Sequence, residues 1–252
     1  MKTTHQLLIG GFVVVAFSLL GNTQSGLDER SQEVTQTMLK SYIGWPKIST
    51  PEASIEVRKV ARRGPIVQYH LFVHGLPTDR LYQSQNWPIN RAEPAVTMEG
   101  ISIGKDGILM CAGRTKEQCG SPSQKDDPIE FTFQAAKGEP YRLAFVSGDS
   151  RVATVIVPDP IEGKDRGCTL NLVRLLPKFE LAYLSGEGFP ANTEVQFHIE
   201  SYGEKHQLNK RTDESGKFGF ALLPNVSGHD KGTTSIKTFG KQCSPSLKFD
   251  WG

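Results

Sequence analysis

Leu181–Gly252 decides the fold. It opens on Gly188-Phe189-Pro190 and runs into Glu194-Val195-Gln196-Phe197-His198-Ile199-Glu200, where apolar and polar residues alternate. It turns through Thr212-Asp213-Glu214-Ser215-Gly216 into Lys217-Phe218-Gly219-Phe220-Ala221-Leu222, and two further strand-like runs end at Phe249-Asp250-Trp251-Gly252. A period of two places Val195, Phe197 and Ile199 on one face and leaves the other face wet, the pattern of an antiparallel sheet buried on one side. The plan occurs a second time, more loosely, earlier in the chain. Gly75-Leu76-Pro77 begins that copy, Gly104-Lys105-Asp106-Gly107 is its turn, and its closing strands lie within Tyr141–Val157.

Composition agrees with an all-β reading. Only 37% of the 252 residues are hydrophobic, which suits antiparallel sheets better than a parallel sheet covered on both faces. The 25 glycines and 15 prolines are spread between short apolar runs as turn punctuation. Lys and Arg total 29 against 27 Asp and Glu, for a net charge of +2. Acids and bases are interleaved, so the chain lacks the basic stripe that nucleic acid requires, and a nucleic-acid partner is not expected.

The N-terminus reads as an export signal. Lys2 and His5 precede the apolar run Leu7–Leu20, and the small or polar Gly21-Asn22-Thr23-Gln24-Ser25 follows. Fourteen apolar residues fall short of the roughly 20 that span a membrane. Residues 1–25 are therefore expected to be a cleaved signal peptide, leaving no stable membrane span in the mature protein. The expected location is secreted, periplasmic or cell-surface. Four cysteines remain, Cys111, Cys119, Cys168 and Cys243, an even number that implies disulfides in an exported chain. Three pairings are possible. Nearness favours Cys111–Cys119, and Cys168–Cys243 would then tie the start of the last domain to its end. No Cys-x-x-Cys spacing suggests a metal site, and no metal or other cofactor is expected.

In chain order, residues 26–52 form a lead-in. Val34, Met38 and Leu39 stand at helical spacing, so Gly26–Ile43 is a short helix or a flexible segment, and Gly44–Glu52 reads as a linker. The first domain, residues 53–158, has its clearest strand at Ile66–His74. Val67, Tyr69, Leu71 and Val73 share one face there, opposite Gln68, His70, Phe72 and His74. The two histidines stand about 13 Å apart on an extended strand, too far to share one ion. Leu76–Thr97 alternates poorly and reads as a long loop whose Tyr82 and Trp87 are candidate ligand-binding aromatics, with Trp87 alternatively a plug for the core. Gly100–Ala112 reads as a hairpin turned by Asp106-Gly107, and Tyr141–Val157 as another. Pro158–Gly167, with Asp159, Glu162 and Asp165, reads as a solvated linker rather than a calcium site. The second domain takes residues 168–252.

Within it, Gly188-Phe189-Pro190-Ala191-Asn192-Thr193-Glu194-Val195, Thr212-Asp213-Glu214-Ser215-Gly216-Lys217-Phe218 and Gly232-Thr233-Thr234-Ser235-Ile236 resemble the bacterial immunoglobulin-like modules found in tandem on exported proteins. They match, in turn, a Gly-Phe-Pro opening, a Thr-Asp-x-x-Gly-x-Phe hairpin and a late Gly-Thr strand, over about 90 residues. The first domain departs from the pattern, with Leu76 for Phe, no Thr-Asp pair, and a cysteine-bracketed loop. The resemblance implies two tandem antiparallel β-sandwiches and a role outside the cytoplasm in binding, adhesion or spacing. It carries no catalytic set.

The chain contains no Gly-x-Ser-x-Gly, His-Glu-x-x-His, phosphate-loop or dinucleotide motif. Asp126-Asp127 is a weak half of a glycosidase pair. The expectation is thus a non-enzymatic binding or surface-interaction protein with an unknown protein or glycan ligand. Two alternatives stand beside it: an exported hydrolase with its site in Leu76–Thr97 and Cys111–Asp127, and a purely structural spacer.

Overall fold

The computed structural model of the protein describes residues 29–89, 91, 93–112, 128–134 and 136–252. The expected signal segment, Cys119 and Asp126-Asp127 lie outside these. The described chain is all-β apart from helix α1 (Glu29–Gly44) and a 3-10 turn, η1 (Trp45–Ile48). Its first eight strands are β1 (Ser54–Arg63), β2 (Ile66–His74), β3 (Tyr82–Trp87), β4 (Ala95–Ile103), β5 (Leu109–Cys111), β6 (Glu130–Gln134), β7 (Tyr141–Ser147) and β8 (Ser150–Ile156). They form antiparallel sheets of order β1-β2-β6 and β5-β4-β3-β7-β8. The remainder are β9 (Ile161–Asp165), β10 (Cys168–Arg174), β11 (Ala182–Glu187), β12 (Glu194–Ser201), β13 (Glu204–Arg211), β14 (Phe218–Leu222), β15 (Gly232–Phe239) and β16 (Ser246–Trp251). These form sheets of order β14-β11-β10-β9 and β13-β12-β15-β16.

The repeated plan of the sequence is a repeated strand order. Apart from β5 and β9, β1-β2-β6 corresponds to β10-β11-β14, and β4-β3-β7-β8 to β13-β12-β15-β16. Each sheet pair encloses its own core. In the first, Val67, Leu71 and Val73 of β2 meet Ile101 of β4 and Phe145 of β7, with the Phe131 ring edge-on to Phe145 at 5.6 Å. In the second, Leu170, Leu184 and Phe220 face Phe197, Ile236 and Phe249. The face expected for β2 is the buried one. The Asp-Gly hairpin pairs Ile101 with Cys111 and Ile103 with Leu109, and β7 and β8 pair through Ser147 and Ser150.

The Thr-Asp pair has a clear physical job. The buried Thr212 hydroxyl donates to the Pro190 carbonyl at 2.7 Å and accepts the Thr193 N–H at 2.9 Å, tying the hairpin to the Gly-Phe-Pro opening. Asp213 Oδ1 caps the turn, accepting the N–H groups of Ser215 and Lys217 at 2.9 and 2.8 Å. Gly216 ends the turn at φ +72°, and a Cβ there would stand 2.0 Å from the Phe189 carbonyl oxygen.

Three expectations are corrected. Leu76–Thr97 is not a long loop: it holds all of β3 and the start of β4. β3 is mostly polar because Gln83, Gln85 and Asn86 stay partly exposed, while its buried Ser84 is satisfied by a 2.9 Å hydrogen bond with Thr97. Gly44–Glu52 is not a plain linker, since Trp45 is buried against Ala144 and Ala153 and donates its indole N–H to the Leu143 carbonyl at 2.9 Å. Pro158–Gly167 contains β9, paired with β10. Ile161 points into the second core while Glu162 and Lys164 face water, a charged edge strand that composition alone disguises as a linker.

The two sheet pairs touch through the lead-in and one turn. Met38 and Leu39 of α1 are buried against Val173, Leu181 and Ala221 of the second pair, whereas Trp45 of η1 packs on the first. Arg174 of β10 donates its backbone N–H to the Gly138 carbonyl at 2.8 Å and forms an ion pair with Glu139.

Candidate ligand groove

The residues singled out from sequence are placed in the core and at the contact with the lead-in. Tyr82 is 1% exposed; its ring lies in the first core and its hydroxyl donates to the Pro77 carbonyl at 2.7 Å. It is a core residue and offers no face to a ligand. Trp87 is half-buried, edge-on to Trp45 with ring centroids 5.5 Å apart and covered by the Arg142 guanidinium 4.1 Å above its ring. Its indole N–H is given to the Arg91 carbonyl at 2.9 Å. Trp87 therefore helps dock the lead-in. Its side chain is engaged by protein on several sides, on strand β3 and beside the lead-in rather than within the first core.

Cys168 and Cys243 form a disulfide with Cα atoms 6.1 Å apart, closing a separation of 75 residues. Cys111 is buried on β5, and no described cysteine is a free thiol. The boundary carboxylates do not converge: Asp159 pairs with Arg62, Glu162 with Lys164, and Asp165 with Arg166 and the Ser244 N–H. No cluster of three potential metal ligands occurs among the described residues.

The structure instead brings together a depression of about 620 Å³ that wraps the edge of the second sheet pair. Its floor is a row fixed by strand register. Asn171 of β10 pairs with Ser185 of β11, which pairs with Gly219 of β14. All three are on the outward face, and all are short, so the row is sunken. Tyr183, two residues before Ser185 on the same face, leans over the row: a Cβ at position 219 would stand 1.9 Å from its hydroxyl oxygen. The far wall is the end of β13 with the following turn, which contributes Lys210, Arg211 and Lys217.

Three cations line the groove. Lys210 lies 5.2 Å over the Phe220 ring, and none of Lys210, Arg211 or Lys217 forms an ion pair among the described residues. Two carboxylates also line it, Glu187 and Asp213. Asp213 caps the turn and stays ionised, with the Lys217 charge acting on it. The Lys217 N–H and the Ser215 hydroxyl and N–H hold its pKa below the ordinary carboxylate value. Burial raises the pKa of the Tyr183 phenol, and that of neighbouring Tyr42 is pushed up to about 12 by burial and by Tyr183. Tyr183 is therefore a neutral hydroxyl at physiological pH, able to donate to or accept from a ligand.

The groove was not anticipated from the sequence. The available signal was modest: Lys210-Arg211 and Lys217 flank one turn, and Tyr183 and Ser185 share a strand face. Neither points to the other until the strands are paired. Compared with protein-family models the chain matches none, and a search of curated proteins finds no match.

Proposed function

We propose that the chain is an exported, non-enzymatic binding protein made of two immunoglobulin-like modules, and that the groove over Asn171, Ser185 and Gly219 is its ligand site. The groove carries this reading: it is concave, offers short polar side chains along its floor and an aromatic hydroxyl above them, and is lined by three cations against two carboxylates. The shared strand order of the two sheet pairs supports the modular part. The Cys168–Cys243 disulfide favours an oxidising compartment. No helix among the described residues is long and apolar enough to cross a membrane.

The test is a binding screen of envelope-derived glycans and proteins against the wild-type chain and Ser185→Trp, which fills the groove floor. The reading requires a ligand that the wild type holds and Ser185→Trp loses while its melting temperature is kept. A ligand held equally by both proteins, or none in the screen, contradicts the groove as the site and favours a spacer.

A further inference from the structure

We infer that the groove takes an acidic oligosaccharide, a sugar chain bearing carboxylates, an inference that rests on the groove being the binding site. Charge comes first. Three cations meet two carboxylates in the lining; Asp213, held in place by the Lys217 N–H and two Ser215 donors, stays ionised and answers part of the Lys217 charge. A net positive charge of one remains in the lining, with Lys210 and Arg211 outside any ion pair among the described residues, and it suits an anion.

The floor supplies the second half. Asn171, Ser185 and the Tyr183 hydroxyl are neutral groups that both donate and accept, matching sugar hydroxyls. The row spans three strands, so it is about 10 Å wide at the usual strand spacing, enough for adjacent sugar rings. A peptide ligand would need apolar recesses for alternate side chains. The two aromatic residues of the lining are already engaged: Phe218 is turned against Phe189 and Phe197, at 5.2 and 5.1 Å, and Tyr183 leans on Tyr42 at 5.5 Å. The sugar would lie along the row Asn171–Ser185–Gly219 with its carboxylates toward Arg211 and Lys217.

The test is calorimetric titration of the full chain with three probes: a hexamer of uronic acid, its neutral methyl ester, and an oligoglutamate of equal charge. The uronate hexamer is expected to bind, and added salt to weaken it. Arg211→Gln and Lys217→Gln are each expected to lower its affinity roughly tenfold. Arg63→Gln, on β1 and away from the groove, is expected to leave it unchanged. Equal binding of the methyl ester overturns the acidic requirement, and tighter binding of oligoglutamate overturns the sugar. Failure of the uronate hexamer overturns the inference altogether. The groove reading is judged separately, by whether Ser185→Trp abolishes whatever ligand the screen identifies.

Discussion

Arg142 takes a full charge into the contact between β7 and the lead-in, being only 1% exposed, and three acceptors keep it there. It donates to the carbonyls of Trp87 and Pro88, at 2.9 and 3.2 Å, and to the Ser41 hydroxyl. Loss of water lowers its pKa to about 10, which still leaves it protonated at neutral pH. Arg142→Ala strands those acceptors and opens space beside Trp87, and is expected to cost roughly 2–4 kcal/mol in urea unfolding. Arg142→Met, which fills the space without a charge, should cost less. At the second sheet pair, Asp213 gives a pH signature. Its folded pKa is depressed, chiefly by the Lys217 N–H and then by Ser215. Its contribution is present above the ordinary carboxylate pKa and disappears as pH falls through the lower folded value. Asp213→Asn should accordingly flatten the acid side of a plot of melting temperature against pH; an unchanged acid limb contradicts the capping role.

Elements were legible where their patterns were pure. The alternation in Ile66–His74 and the Asp106-Gly107 turn identify β2 and the β4–β5 hairpin, because one buried face needs period two and a tight hairpin needs positive φ. β3 was hidden since Tyr82-Gln83-Ser84-Gln85-Asn86-Trp87 buries a serine bonded to Thr97. Its pairing with β4 also shifts register on both sides of Ser84. β9 was hidden by the charges on its outward face. The anchoring power of η1 was equally invisible, because nothing near Trp45 in the sequence says that Leu143 and Trp87 wait for it. Trp45→Ala removes that anchor and is expected to destabilise the protein by roughly 3–5 kcal/mol in denaturant titration. A loss below about 1 kcal/mol would mean that the lead-in is peripheral to stability.

At the scale of the whole molecule, the sequence announced an all-β chain with a repeated plan, and the sheet orders match it. The groove was not legible, because Asn171, Tyr183, Ser185, Lys210, Arg211 and Lys217 meet only after three strands and a turn are brought into register. The cysteines gave more, since an even count favoured pairing and Cys168 and Cys243 are joined. That bridge closes a separation of 75 residues, so Cys168→Ser should destabilise the second sheet pair by roughly 2–4 kcal/mol. Equal melting of oxidised and reduced wild-type protein would refute it.

The proposal of export underlies the reading of the Cys168–Cys243 disulfide and the proposed ligand class, and one measurement tests it most directly. The chain is produced in cells with a secretory pathway, and the intact mass of the recovered protein is taken after thiol labelling, with and without reductant. A mass beginning near Gly26, with label incorporated only after reduction, is predicted. A full-length mass whose cysteines label without reductant would contradict export and, with it, the account of a disulfide-stapled binding protein.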